Sequence, residues 1–329
     1  MLTPRENLLE TIRGGRPDRY VNQFEPFQMQ WCTPIDLLYP LPERGGEPKP
    51  AIWGPVFAFP EGTPGPFPLH DEEHLVIKDI THWQEYVKMP RTDFSEEDWA
   101  WIVEEAGKVD RDRYFCAAFV GPGVFENCHH MMGMQECLIN FYEEPEKMHE
   151  LIDFITQYEL KLAENICKYM RPDAIYHHDD WGSQTSSFLS PEMFRKFLLE
   201  PYQKIYGYYK ANGVELIIHH SDSYLENMIP ELIDAGIDIW QGALSTNNIP
   251  GIIEKYGGKL TVMGGIDNGK VDRADWTEES VRAEVNRICR WAGTKYFIPN
   301  TCYGGDESTY PGVYETVSDE IDRLSREFF

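Results

Sequence analysis

The residues best suited to chemistry in this 329-residue chain are His220, Asp222 and Cys302. His220 and Asp222 stand two positions apart, just past the apolar and mostly β-branched run Val214 to Ile218. Such a run reads as a buried strand, and polar groups that end one seldom enter a packed core unpaired. Cys302 leaves a second strand-like run, Lys295 to Ile298, among Pro299, Asn300, Thr301, Tyr303, Gly304 and Gly305. Imidazole, carboxylate and thiolate are all zinc donors, and three protein ligands leave a fourth position open for a reactant. The expectation is that the two strand ends meet and that His220, Asp222 and Cys302 hold one metal ion. The alternative left open by the residues alone is a hydrogen-bonded His–Asp pair and an inert buried thiol.

A third polar strand end follows Asp173 to His177 and reads His177, His178, Asp179, Asp180, Trp181, Gly182, Ser183, Gln184. Some of these side chains are expected to bind substrate or to orient a ligand, as carboxylates orient imidazoles around metals. His177, Asp179, Trp181, Gln184 and Tyr303 are the substrate-binding candidates, and Asp180 and Glu25 the acid–base candidates. For Asp179 and Asp180 the alternative is helix capping. His219 alternates with His220, so it is expected on the other face of its strand. His129 and His130 are adjacent, a spacing that does not readily aim both rings at one ion. Met131, Met132 and Met134 read as core filler.

These groups need a scaffold. Pro4 to Arg13 reads as a helix capped by Thr3 with Glu6 in capping-box position. Gly14-Gly15 closes it, and a strand is expected from Tyr20 to about Phe24, with Glu25 at its end. Pro40 to Pro68 is rich in Pro and Gly and carries Trp53, Phe57, Phe59 and Phe67, which predicts an ordered irregular loop covering a pocket. Strand Tyr114 to Val120, a long helix from Pro145 to Tyr169 and the strand ending at His177 follow. Strands Val214 to His219, Ile237 to Gln241 and Leu260 to Met263 then alternate with helices closed by Gly236, Gly257-Gly258 and Gly293. Alternation of this kind predicts parallel strands with right-handed crossovers. One reactive cluster after each strand favours a single (β/α)8 TIM barrel over residues 1–329 rather than a doubly wound sheet. No Gly-x-Gly-x-x-Gly follows a strand, so a dinucleotide site has no support.

Composition narrows the partners. The formal net charge is −25, from 55 acidic and 30 basic side chains, which repels phosphate backbones. No apolar run is long enough to span a membrane, and the N-terminus lacks the order of a secretion signal. Seven scattered cysteines do not form a disulfide framework; reduced thiols and a cytoplasmic setting are expected. A homo-oligomer is compatible with all of this.

Thr3-Pro4-Arg5-Glu6-Asn7, Gly14-Gly15-Arg16-Pro17-Asp18-Arg19, Asp179 to Gln184, Ser190-Pro191-Glu192-Met193-Phe194, His220-Ser221-Asp222, Gly264-Gly265-Ile266-Asp267 and Cys302 occur in an ordered set. That set resembles the uroporphyrinogen decarboxylase-like barrel proteins along nearly the full chain, least in the loop from Pro40 to Pro68. The decarboxylase of that superfamily carries an arginine-bearing loop, Met-Arg-Gln-Ala-Gly-Arg, for its substrate carboxylates. Here Asn22 to Gln28 contains Glu25 and no arginine, which weighs against decarboxylation of an octa-acid. The other branch comprises zinc-dependent, corrinoid-linked methyltransferases with a HisxCys pair and a distant Cys. His220 and Cys302 match that pattern, and Asp222 stands where its first cysteine would be. The resemblance therefore implies a Zn2+-dependent methyltransferase of the O-demethylase type, moving a methyl group from a small donor such as an aryl methyl ether to the corrinoid of a separate protein. A carboxylate in place of one thiolate donates less charge and leaves the ion more electrophilic. A decarboxylase of a smaller acid and a non-catalytic binding barrel are the competing expectations.

Overall fold

The computed structural model describes residues 1–63, 65–303 and 308–329. Seven parallel strands form one sheet whose spatial order follows the chain: β1 (Phe27–Gln30), β5 (Phe115–Val120), β6 (Ala174–His178), β7 (Leu216–His220), β8 (Ile239–Ala243), β9 (Thr261–Ile266) and β10 (Phe297–Thr301). Three short strands, β2 (Lys49–Pro50), β3 (Val56–Ala58) and β4 (Phe67–Pro68), make a separate antiparallel sheet. Each strand lies beside its successor and every crossover from β5 onward carries at least one helix. A doubly wound sheet would reverse direction at a switch point; this one curls in a single sense, as a barrel does.

Strand alternation sorts the core into two layers. Phe115, Ala117, Ala174, Tyr176, Leu216, Ile218, Ile239, Met263 and Ile298 turn inward with Leu8, Val21 and Phe27. Cys116, Ala118, Ile175, Ile217, Trp240, Val262 and Phe297 turn outward onto the surrounding helices. Two buried faces explain why the strands are nearly uninterrupted apolar runs.

The expected strand from Tyr20 to Phe24 does not form. Gln23 takes φ 52°, the Glu25 N–H donates to the Asn22 carbonyl at 3.0 Å, and the Tyr20 N–H goes to Ser325 Oγ at 3.1 Å. The Tyr20 ring packs edge-on against Phe328 and Phe329, and Val21 enters the inner core. Its apolar residues are buried, but in an irregular segment hydrogen-bonded to the helix Val313–Phe328, so the sheet has seven strands among the described residues. The stretch expected to be an irregular loop contains β2 to β4. Its Trp53 packs on Tyr158 and Phe154 of the helix Pro145–Tyr169, and its Phe57 meets His130 edge-on at 5.3 Å between centroids.

Thr3 and Glu6 form the expected capping box at the helix Pro4–Ile12. No described helix is long and apolar enough to cross a membrane. Gly304 and Gly305, part of the polar run expected after Lys295 to Ile298, lie outside the described residues.

Candidate active site in the barrel mouth

The strand ending at Val120 stops where the sequence pattern indicates, but β6 to β10 end one to three residues later, and this decides which side chains enter the mouth. β6 runs through His178 and β7 through His220, paired in register. Inward alternation from Ala174 and Tyr176 reaches His178, and from Leu216 and Ile218 it reaches His220. His177 and His219 consequently face out, as expected for His219.

The mouth gathers one compact donor group. His178, Asp180 and His220 each offer a ligand atom, all within 4.8 Å of one another. The two imidazoles stack with centroids 4.4 Å apart. His178 Nδ1 is 2.8 Å from Glu126 Oε2. His220 Nδ1 lies 2.9 Å from the Tyr176 hydroxyl and against Gln241 Oε1. With both Nδ1 atoms committed, each Nε2 is left for the mouth, and His220 Nε2 lies 3.9 Å from Asp180 Oδ1. Imidazoles held from behind in this way are the usual posture of metal ligands. Asp180 Oδ1 also accepts the Asp222 backbone N–H at 3.0 Å.

Gln241 joins the strand ends. Its Nε2 donates to Asn300 Oδ1 at 2.8 Å and to the Cys302 carbonyl at 3.2 Å, while its Oε1 faces His220 and accepts the Tyr176 hydroxyl at 2.5 Å. A bulge between Gln241 and Ala243 accommodates this, and Gly242 at its centre takes φ 95°. A Cβ there would sit 2.7 Å from the Ser221 carbonyl, so only glycine fits. The ends carrying His220 and Cys302 do meet, through this amide. The Cys302 thiol itself donates to the carbonyls of Ala243 and Ile266, both at 3.2 Å, and burial pushes it up to about 12.

Burial and mutual charge set the protonation of the mouth. Burial, and then the charge of Asp180, push Asp222 up to about 8. Burial and the neighbouring His178 push His220 down to about 4, so its ring is neutral. Burial opposes a charge on His178, but the Glu126 carboxylate followed by Asp180 and Asp179 outweighs it and lifts His178 to about 10. Carboxylates crowded enough to retain protons would be relieved by a divalent ion in their place. The residues present therefore fit a metal.

Other sequence candidates take different places. His177 is fully buried between Glu159, 2.9 Å from its Nε2, and the Tyr206 hydroxyl, 3.2 Å from its Nδ1. Asp179 accepts the backbone N–H groups of Phe125 at 3.1 Å and Glu126 at 2.8 Å, capping the helix Val124–Met132 from the next strand. It also accepts Trp181 Nε1 at 3.1 Å, and the Trp181 ring is enclosed by Phe194, Tyr202 and His219. His177, Asp179 and Trp181 are thus packed behind the mouth, because their strand turns them outward. Gln184 is exposed, and its carbonyl accepts Thr246 Oγ1. Glu25 precedes β1, on the side away from the C-terminal strand ends, and pairs with Arg19 at 3.0 Å. Its assignment relied on the strand that does not form. Tyr303 is half-buried, and burial first, then the nearby Asp222, raises its hydroxyl.

Sequence reasoning missed Tyr176, Gln241 and Glu126 as parts of this network. Tyr176 and Gln241 had a usable signal, a polar residue at the inward phase of an apolar strand. Glu126, inside a helix, had none.

Fold and site together define a barrel-type α/β protein with a titratable, metal-competent cluster at the C-terminal strand ends, where enzymes of this architecture place their chemistry. The sequence matches the model of the uroporphyrinogen decarboxylase (URO-D) family over residues 76–322, and the chain belongs to that family. Among solved structures it is similar to a methyltransferase from Methanosarcina mazei, with a TM-score of 0.63 at 12% identity, covering 98% of this chain and 99% of that one. A B12-independent methionine synthase from Shewanella sp. W3-18-1 aligns with a TM-score of 0.48 at 12% identity, covering 74% of this chain and 70% of that one. No curated protein matches the sequence.

Proposed function

We propose that this chain is a zinc-dependent methyltransferase that moves a methyl group from a small methylated donor, an aryl methyl ether foremost, to the cob(I)amide of a separate corrinoid protein. One observation carries the reading. The cluster His178–Asp180–His220 fills the mouth of a family barrel whose β1 leads into Trp31 and Cys32, with no arginine to grip a polycarboxylate. The fold shared with the Methanosarcina mazei methyltransferase along both chains agrees with it.

His220 would hold the ion together with Asp222 and Asp180, and His178 or Cys302 supplies the remaining donor. His178 already stands within the cluster; Cys302 would turn its thiol away from two carbonyls and lose its proton. Bound zinc supplies Lewis acidity at the ether oxygen, which makes a phenolate a tolerable leaving group. The chain's own residues do the rest. Tyr176 and Gln241 fix the His220 ring, and where Cys302 supplies the remaining donor the Glu126–His178 pair keeps a proton on Nε2 that can pass to the departing oxygen. Tyr303 offers an aromatic wall beside Asp222, and the sheet β2–β4, seated on the helix Val124–Met132 through Phe57, limits water.

The sequence lacks the Asp-x-His-x-x-Gly signature of corrinoid binding, so the corrinoid arrives on its own protein. Trp31, Leu37, Leu38 and Leu41 stand exposed just after β1 and give that partner an apolar rim to dock on. The deciding experiment is a donor screen with chemically reduced corrinoid protein, read as methyl-corrinoid absorbance. Methylation from a methoxyarene supports the reading. Release of CO2 from a small carboxylic acid without methyl-corrinoid would replace it by a decarboxylase.

A further inference from the structure

The helix Val124–Met132 brings a second set of donors to the inner edge of the lid. Glu126 and His129 are three residues apart and Glu126 and His130 four, so all three share one helix face. Their ligand atoms lie within 4.8 Å of one another, although the adjacency of the two histidines argued against that from sequence. The helix turn resolves it, because the rings meet edge to face with centroids 4.6 Å apart and both residues stand one turn from Glu126.

Beyond ring contacts with Phe125 and Phe57, these imidazoles have no side-chain partner among the described residues. His130 is 9% exposed, and its Nδ1 is buried without a hydrogen-bond partner. An orphaned ring nitrogen in a dry site costs roughly 1–3 kcal/mol and calls for an explanation. The side chain of His129 likewise makes no hydrogen bond among the described residues. The ring of Phe57 closes the site from the lid side, and His70 Nε2 is 3.3 Å from the His130 carbonyl. Core packing alone would be served better by leucine or phenylalanine at either histidine. Two imidazoles and one carboxylate form a three-ligand set for a first-row divalent ion with an open fourth position.

We infer that Glu126, His129 and His130 form a second divalent-cation site, joined to the mouth cluster by the hydrogen bond between Glu126 and His178. The inference does not depend on the methyl-transfer reading. It makes the barrel a two-ion protein, with one ion among the strand ends and one under the lid.

Chelator-stripped protein titrated with Zn2+ alone, followed by calorimetry and elemental analysis, tests it. Wild type should bind two equivalents. His129→Asn should bind one, with the second Kd weakened at least tenfold, and Glu126→Gln should show the same loss with its size and contact to His178 preserved. His220→Asn should retain the equivalent that His129→Asn loses. Cobalt(II) absorbance in the His220→Asn background should report the lid site by itself, and near-UV circular dichroism checks each fold. A single wild-type equivalent that survives His129→Asn overturns the inference. So does a single equivalent abolished by both His129→Asn and His220→Asn, which would mean one shared ion. One equivalent lost only in His129→Asn would instead uphold this site and remove the mouth metal.

Discussion

His178 and His220 face each other in register across β6 and β7, with their rings 27° from parallel and 4.4 Å apart. One is held charged by Glu126, and the other is kept neutral by burial and by His178 while Tyr176 and Gln241 fix its ring. Two identical side chains at equivalent strand positions are thus prepared for different work, one to keep a proton and one to present a lone pair.

That division predicts the metal chemistry. His220→Ala and Asp222→Ala should each lose the equivalent of metal held in the mouth, measured by elemental analysis, with an unchanged far-UV spectrum. Cys302→Ser and His178→Ala assign the remaining donor. Metal lost only from the serine variant gives the position to the thiol, and metal lost only from the alanine variant gives it to the imidazole. Full occupancy in His220→Ala would overturn the mouth site.

Gln241 should behave as a positioning residue. Gln241→Leu removes the acceptor for Tyr176 and His220 and the donor to Asn300, all in a buried network. Metal affinity should fall about 10–100-fold, the range seen when a ligand's supporting partner is lost. Stability should fall by about 1–3 kcal/mol. Gln241→Glu keeps the oxygen facing His220 and should recover part of the affinity, which a purely structural role would not require.

Asp179 should prove structural. Asp179→Ala leaves the Glu126 N–H without its acceptor and reduces the Phe125 N–H and Trp181 Nε1 to the longer contact with the Tyr202 hydroxyl at 3.4 Å. We expect a loss of about 1–3 kcal/mol in urea unfolding. Metal bound in the mouth should remain. Loss of that metal with unaltered stability would instead return Asp179 to the site.

Glu284 should contribute to acid sensitivity. Burial alone would raise its carboxyl, but the hydrogen bonds and charge of Arg287, then Lys270 and the Asp267 N–H, hold it below its usual value. A depressed acid contributes stability above its unfolded pKa of about 4.5, and that contribution is lost as pH falls through the lower folded value. Glu284→Gln should therefore be less stable than wild type at pH 7, by about 1.5–3 kcal/mol. The two should converge on acidification below about pH 4. A gap that persists at pH 3 would show that the loss is not electrostatic.

The barrel was legible because its strands are apolar on both faces and separated by helices with clear Gly endings. Tyr20 to Phe24 deceived because burial without a ladder leaves the same apolar trace as burial within one; only the turn at Gln23 separates them. The mouth was half legible. His220 stood out, but His177 was preferred to His178 because the strand was expected to stop one residue early, and alternation makes one residue the difference between inside and outside. Glu126, His129 and His130 were obscured by the coiling of a helix, which brings side chains together that are not neighbours along an extended chain.

The amide of Gln241 has one further consequence. Its nitrogen faces three oxygens, of Asn300, Thr301 and Cys302, so the group cannot be turned over without setting oxygen against oxygen. Its own oxygen must then receive protons from Tyr176 and from His220 Nδ1. The string of donors has a fixed sense, from the hydroxyl and the imidazole toward β10, and cannot run backwards. His220 is thereby confined to a single tautomer, with its basic electron pair on Nε2, before any reactant arrives.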